Sequence, residues 1–205
     1  MAIDGRGHMA ALRPSTGQWM SAAFCVALVL VLAIRLSVPL HDQLGMALRA
    51  TARWSFLWFW LASTGGALAA LSGTKFQAIA LRARDFGLAF AAAHLVHLGL
   101  VAFLLYRSTT PFPRFPLVLF SIGVFWVYLL AFLSFRPASL MLQPRTVSLI
   151  RSVGVEYITF IFLYDFVKDS LQDGAGQFFL YLPFLTLGFG GPLLRLAAAG
   201  KRTRV

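Results

Sequence analysis

Six long stretches of apolar residues, separated by short polar or proline-containing connections, set the pattern of this chain. Each stretch approaches the roughly 20 residues that a helix needs to cross about 30 Å of hydrocarbon. A helix satisfies its own backbone hydrogen bonds without water, so the pattern predicts six spanning helices. Their predicted bounds are Trp19–Val38, Trp54–Ser72, Phe86–Tyr106, Phe115–Phe135, Ser148–Val167 and Phe178–Leu194.

The predicted fold is therefore an all-α, six-transmembrane-helix bundle that forms one domain over residues 19–195. Residues 1–18 and 196–205 are predicted to be an N-terminal tail and a basic C-terminal tail. The first apolar stretch is too long for the core of a signal peptide, so we expect it to remain as a spanning helix.

Composition supports a lipid environment, because 59% of the residues are hydrophobic and only 12% are charged. A soluble domain has about 25% charged residues. The net charge of +11 would suggest nucleic acid in a soluble protein. Here the basic residues lie between apolar stretches, where they face lipid headgroups, so we expect no nucleic-acid partner. The single cysteine, Cys25, excludes an intrachain disulfide.

The positive charges are unevenly divided between the two sides of the predicted bundle. Twelve of the 18 Lys and Arg residues lie in the two termini and in the second and fourth connections or close to them. Because short cytoplasmic segments carry the excess of Lys and Arg, both termini are predicted to be cytoplasmic. The expected location is the inner membrane of a bacterium.

The third apolar stretch contains two histidines, His94 and His97, which share one face of a helix. An imidazole in hydrocarbon is costly and usually faces the bundle interior. One interpretation is haem ligation by His94, with Arg82 and Arg84 pairing with the haem propionates. In this interpretation His97 is also a cofactor-binding residue, either as a hydrogen-bond partner or as a ligand of a different haem. The other interpretation is that both histidines only form hydrogen bonds between helices.

Spacing restricts the haem hypothesis. Side chains three residues apart on a helix have Cβ atoms about 5–6 Å apart, too close to bind opposite faces of one iron. A bis-histidine site would need a ligand from another helix. The remaining histidines, His8 and His41, both lie outside the predicted spanning stretches.

Two acidic residues, Glu156 and Asp165, lie in the fifth stretch. An intramembrane carboxyl group needs a partner or a proton, so Glu156 is interpreted either as part of a proton or substrate path or as a link between helices. Its candidate partners are Arg151, either histidine of the third stretch, Tyr157 and Thr159. Asp165 is expected to pair with Lys168, three residues further on.

The segment Arg-x-Arg-Asp-Phe-Gly-Leu-x-x-Phe-x-x-x-His, from Arg82 to His94, resembles the ferric reductase-like transmembrane superfamily. Within it, the chain is most similar to the MsrQ/YedZ-type haem-binding membrane subunits. The resemblance implies six helices, haem b on His94 and electron transfer across the membrane. It departs at the fifth helix, where the family has two histidines and this chain has Ile150 or Arg151 and residues 163–165.

Two functions follow as hypotheses. The first is a b-type-cytochrome-like subunit of an oxidoreductase, which needs a separate redox partner because no flavin or nucleotide site is present in the sequence. The second is a haem-free member of the family that acts as an accessory subunit of a membrane complex or as a small carrier.

Overall fold

The computed structural model describes residues 14–109, 111–135, 142–172 and 175–202. Within these ranges every regular element is a helix, and a 3₁₀ turn at Gly73–Phe76 precedes the short third helix. The helices are α1 (Thr16–Ser37), α2 (Gln43–Ser72), α3 (Gln77–Leu81), α4 (Ala83–Arg107), α5 (Arg114–Leu133), α6 (Pro144–Gln172) and α7 (Ala175–Arg202).

The all-α class predicted from the sequence is confirmed for the described ranges, and six of the helices are long and apolar enough to cross a membrane. Several helices continue beyond the predicted spans. α2 begins at Gln43 rather than near Trp54, and α7 continues through residues 196–202 of the predicted tail. Hydropathy marks the length of chain that suits hydrocarbon, whereas backbone hydrogen bonding continues past it. Residues 1–13 and 203–205 of the predicted tails lie outside the described ranges.

On one side of the bundle, basic side chains donate hydrogen bonds to backbone carbonyl groups at helix ends. We name this the terminal side, because α1 begins there and α7 ends there. Arg84 Nε donates to Ser134 O at 2.8 Å, and Arg151 Nη2 donates to Leu133 O at 3.2 Å. Lys201 Nζ donates to Ala70 O at 3.0 Å. The last carbonyls of a helix have no intrahelical partner, so these cations stabilise the ends of α5 and α2.

Small side chains bring α1 close to α4, and α2 packs against both helices. Ala89 and Ala93 of α4 and Ala23 of α1 are completely buried, and Trp19, Trp54 and Trp58 pack around them. A second cluster joins α2 to α6 and α7 through aromatic rings. Its most deeply buried members are Phe56, Phe166 and Tyr181.

We predict that Gly65→Ala in α2 destabilises the protein. A Cβ atom there would lie 2.9 Å from Ile79 Cγ2 and 3.2 Å from the Ile79 carbonyl oxygen. Overpacking of this kind costs about 1–3 kcal/mol. The adjacent Gly66→Ala is the matched control, since nothing lies within 4 Å of its Cβ position. Thermal unfolding of the purified protein in detergent should show a lower midpoint for Gly65→Ala alone, and equal midpoints would contradict this packing.

Candidate functional site

His94 and His97 lie near the middle of α4, as predicted, and their rings stack on each other. The ring centroids are 5.2 Å apart and the planes differ by 23°. Two rings in this arrangement cannot bind opposite faces of one metal centre. The structure therefore agrees with the restriction drawn from their spacing.

His97 is held by a hydroxyl group of α2. Its Nδ1 lies 3.1 Å from Thr51 Oγ1, and Thr51 is completely buried. The Thr51 hydroxyl donates its proton to the Ala47 carbonyl at 2.7 Å. Because a hydroxyl has one proton, Thr51 Oγ1 accepts from His97 Nδ1–H, which fixes the tautomer of a neutral His97. His97 therefore links α4 to α2.

His94 has aromatic neighbours instead of polar ones. Its ring lies 5.4 Å from the Phe90 ring and 6.3 Å from the Phe162 ring, centroid to centroid. Its Nδ1 is buried and has no hydrogen-bond partner. Buried polar atoms of this kind are few in native proteins and call for a physical explanation.

A cavity of about 310 Å³ borders both histidines, and we name it the histidine cavity. It lies between α2, α4, α5 and α6, and it extends from His94 toward the end of α4, away from the terminal side. Aliphatic and aromatic side chains form most of its wall. Its polar lining consists of His94, His97, Arg49, Ser121, Asp165 and Tyr181. The volume is at the lower end of the range for small-molecule sites.

The structure does not bring Arg82 or Arg84 to this cavity. Twelve residues of helix separate Arg82 from His94, which corresponds to about 18 Å along α4. The Arg82 guanidinium lies over the Trp19 ring, 5.6 Å from its centroid, and Arg84 bonds the end of α5. The basic side chain at the histidine cavity is Arg49 of α2.

Glu156 pairs with a residue that the sequence analysis did not consider. Arg195 of α7 donates from Nη2 to both carboxylate oxygens at 2.9 Å and from Nε to Oε1 at 3.1 Å. None of the partners suggested from the sequence makes this contact. The interpretation of Glu156 as a link between helices fits this geometry, since the fork joins α6 to α7.

Asp165 of α6 is half-buried and lines the histidine cavity. Among the ion pairs formed within the described ranges, the expected pair with Lys168 is absent. Asp165 is therefore a cavity residue as well as a residue near the end of α6. It lines the same cavity as the two histidines.

Sequence reasoning missed Thr51 and Arg49, because the predicted second span began only at Trp54. Both residues lie in the first turns of α2. A helical periodicity search continued upstream of Trp54 would have placed Thr51 and Arg49 on the helix. The contact between Thr51 and His97, 46 residues apart in the chain, has no local signal.

No protein-family model, curated protein or solved structure matches this chain.

We predict that Glu156 and Arg195 act as one unit in stability. Glu156→Gln and Arg195→Gln should each lower the free energy of unfolding by about 1 kcal/mol or less, because Glu156 is exposed and the fork is therefore partly solvated. The double variant should lose little more than either single variant. Lys168→Gln, which removes an exposed charge from the same helix, is the control. Additive losses in thermal unfolding would show that the two side chains are not coupled.

Proposed function

We propose that this chain is an integral membrane protein with six spanning helices and cytoplasmic termini. Six helices of sufficient length and apolarity support the insertion, and the excess of Lys and Arg at the terminal side supports the orientation. The histidine cavity then lies in the half of the bundle nearer the opposite compartment. The membrane of a bacterium is the proposed location.

We further propose that the histidine cavity binds haem b through His94. The observation that carries this proposal is an imidazole without a protein partner that borders an apolar cavity in the middle of the bundle. Histidine is a common axial ligand of haem iron, and an apolar wall suits the macrocycle. The resemblance of Arg82–His94 to ferric reductase-like subunits points to the same residue.

The residues around His94 are consistent with a haem iron that has a single protein ligand. His97 is bonded to Thr51 and stacks beside His94, so it orients the neighbouring ring and is not itself the ligand. Val124, Val127 and Ile158 form part of the facing wall, where no second imidazole lies among the described residues. Phe90 and Phe162 exclude water from His94, and Arg49 brings positive charge to the same cavity.

When bound, haem supplies one-electron redox chemistry. The chain would then act as a b-type-cytochrome-like subunit of an oxidoreductase, with a separate partner protein that delivers or accepts electrons. In this proposal the partner protein catalyses the reaction of the substrate, and this chain only transfers electrons.

A haem-free function is the second candidate, and two observations favour it: the histidine cavity of about 310 Å³ is smaller than a haem molecule, and Nδ1 of His94 has no acceptor. A metal-ligating histidine almost always donates its other ring N–H to an acceptor, and Nδ1 has none. In this case the cavity binds a different apolar molecule, and the chain acts as an accessory subunit or a small carrier. Asp165 and the histidines are then the polar groups that contact the bound molecule.

We predict that protein purified from haem-supplemented cells shows a Soret band that sharpens and shifts on reduction with dithionite. His94→Ala should lose at least about nine-tenths of this absorbance, because it removes the axial ligand. His97→Ala is the matched control on the same face and should retain most of it.

Size-exclusion chromatography of both variants checks that the bundle is folded. A wild-type protein without a Soret band would eliminate the haem proposal in favour of the second candidate. Equal absorbance in His94→Ala and wild type would show that any bound haem sits elsewhere.

A further inference from the structure

The histidine cavity opens to the surface of the bundle between α4 and α5. Near the terminal side the two chain segments are joined by the hydrogen bond from Arg84 to the Ser134 carbonyl. Farther from that side, three residues line the cavity and are at the same time exposed at the surface: Leu105 of α4, and Leu117 and Ser121 of α5. We name this opening the cavity mouth.

The cavity mouth lies on the part of the surface that meets lipid. Ser121 follows Arg114, the first residue of α5, by about 10 Å along the helix. In the proposed orientation this depth lies within the hydrocarbon, which is about 30 Å thick. Most of the cavity wall is aliphatic or aromatic. A molecule that enters through the mouth therefore comes from the bilayer and has an apolar body.

The cavity wall contains a ring nitrogen that can donate to a bound molecule. Nδ1 of His94 is enclosed, so Nε2 is the nitrogen that reaches the cavity. Enclosed N–H groups without an acceptor are rarer in proteins than enclosed acceptors without a donor, so the proton of a neutral His94 is assigned to Nε2. Within the described ranges this N–H has no acceptor.

Asp165 supplies an acceptor in the same wall. It lies three residues beyond Phe162, whose ring is 6.3 Å from the His94 ring, and so about 4.5 Å further along α6. No ion pair or hydrogen bond holds its carboxyl group in the part of the chain that the structure describes. A carboxyl group accepts a hydrogen bond in either protonation state. The cavity therefore offers one donor and one acceptor to the same bound molecule.

The charges of the wall favour an uncharged head group. Arg49 borders the cavity and disfavours a cation there. Asp165 disfavours an anion, and Asp169, four residues further along the same face of α6, adds to this effect. A hydroxyl group is uncharged, and it can accept one hydrogen bond while it donates another.

We propose that the histidine cavity binds a lipid-soluble alcohol of medium chain length that enters from the bilayer. The hydroxyl group accepts from His94 Nε2–H and donates to the Asp165 carboxyl group, and the alkyl chain extends toward the cavity mouth. The volume of about 310 Å³ is at the lower end for small-molecule sites and suits a single chain. This inference rests on the second candidate function, because a proton and an iron atom cannot both occupy Nε2 of His94.

The test uses the full chain in lipid nanodiscs and a photoreactive probe, 1-decanol with a diazirine on its alkyl chain. Mass spectrometry of the irradiated protein should place the label on cavity-wall residues of α4 and α5. Unlabelled 1-decanol should compete at least about fivefold better than decane, decanoic acid or decylamine at equal mole fraction in the lipid. A difference of this size corresponds to about one hydrogen bond.

Two substitutions test the contacts of the hydroxyl group. Asp165→Leu removes the acceptor and His94→Leu removes the donor, so each should weaken competition by 1-decanol about fivefold. Asp165→Asn is the matched control, because the amide keeps an acceptor oxygen and should retain most of the affinity.

Ser121→Trp tests the entry route and keeps the proposal testable if the other variants do not fold. Ser121 is exposed, so the fold accommodates an indole that fills the cavity mouth, and labelling of the cavity wall should be largely lost. Ile122→Trp is the matched control, because Ile122 is 42% exposed on the same helix and does not line the cavity.

Equal competition by decane and 1-decanol would overturn the alcohol proposal and leave the second candidate function standing, whereas a cavity wall without label would overturn both. Stronger competition by decanoic acid or decylamine would overturn the uncharged head group. Unchanged affinity in Asp165→Leu and His94→Leu, or equal labelling of Ser121→Trp and Ile122→Trp, would also contradict the proposal. A Soret band that is lost in His94→Ala would place iron on His94 and overturn it as well.

Discussion

The close approach of α1 to α4, with α2 packed against both, is the constraint on which the arrangement of this molecule depends. Completely buried alanines at Ala23, Ala89 and Ala93 leave little side-chain bulk between the backbones of α1 and α4. This contact fixes the rotation of α4 about its own axis. It places His97 against Thr51 of α2 and leaves His94 at the edge of a cavity. A larger residue in the alanine contact would turn both imidazoles away from their present neighbours.

The six helices could be predicted because hydrocarbon, the solvent that suits this composition, offers no hydrogen bonds to the backbone. A stretch of about 20 apolar residues that must satisfy every backbone group has to be helical, and the central parts of all six stretches are. Helix ends were harder to locate, since hydropathy does not change where backbone bonding stops. The beginning of α2, with Arg49 and Thr51, was missed for this reason.

The sequence predicted which side chains lie together within one helix, but not which side chains meet between helices. The shared face of His94 and His97 is a property of helical spacing, and it was predicted. The fork between Glu156 and Arg195 joins residues 39 apart in the chain and depends on how α6 and α7 pack. The same holds for Arg84, whose partner is the end of α5. The charge of Arg84 made it a candidate for binding haem propionates. In the folded bundle its guanidinium instead donates to the Ser134 carbonyl at the end of α5.

The tryptophan cluster of Trp19 and Trp58, closed by Phe86, has an electrical consequence if the bundle lies in an energised membrane. Trp19 lies 5.7 Å from Trp58 and 5.6 Å from Phe86, so rings fill this part of the bundle near the start of α1. A voltage across the bilayer falls mainly across such low-permittivity material. A charge that reaches His94 along the histidine cavity, from the side opposite the terminal side, would cross only a fraction of that voltage. The rest of the voltage would then lie across the half of the bundle that contains Trp19, Trp58 and Phe86.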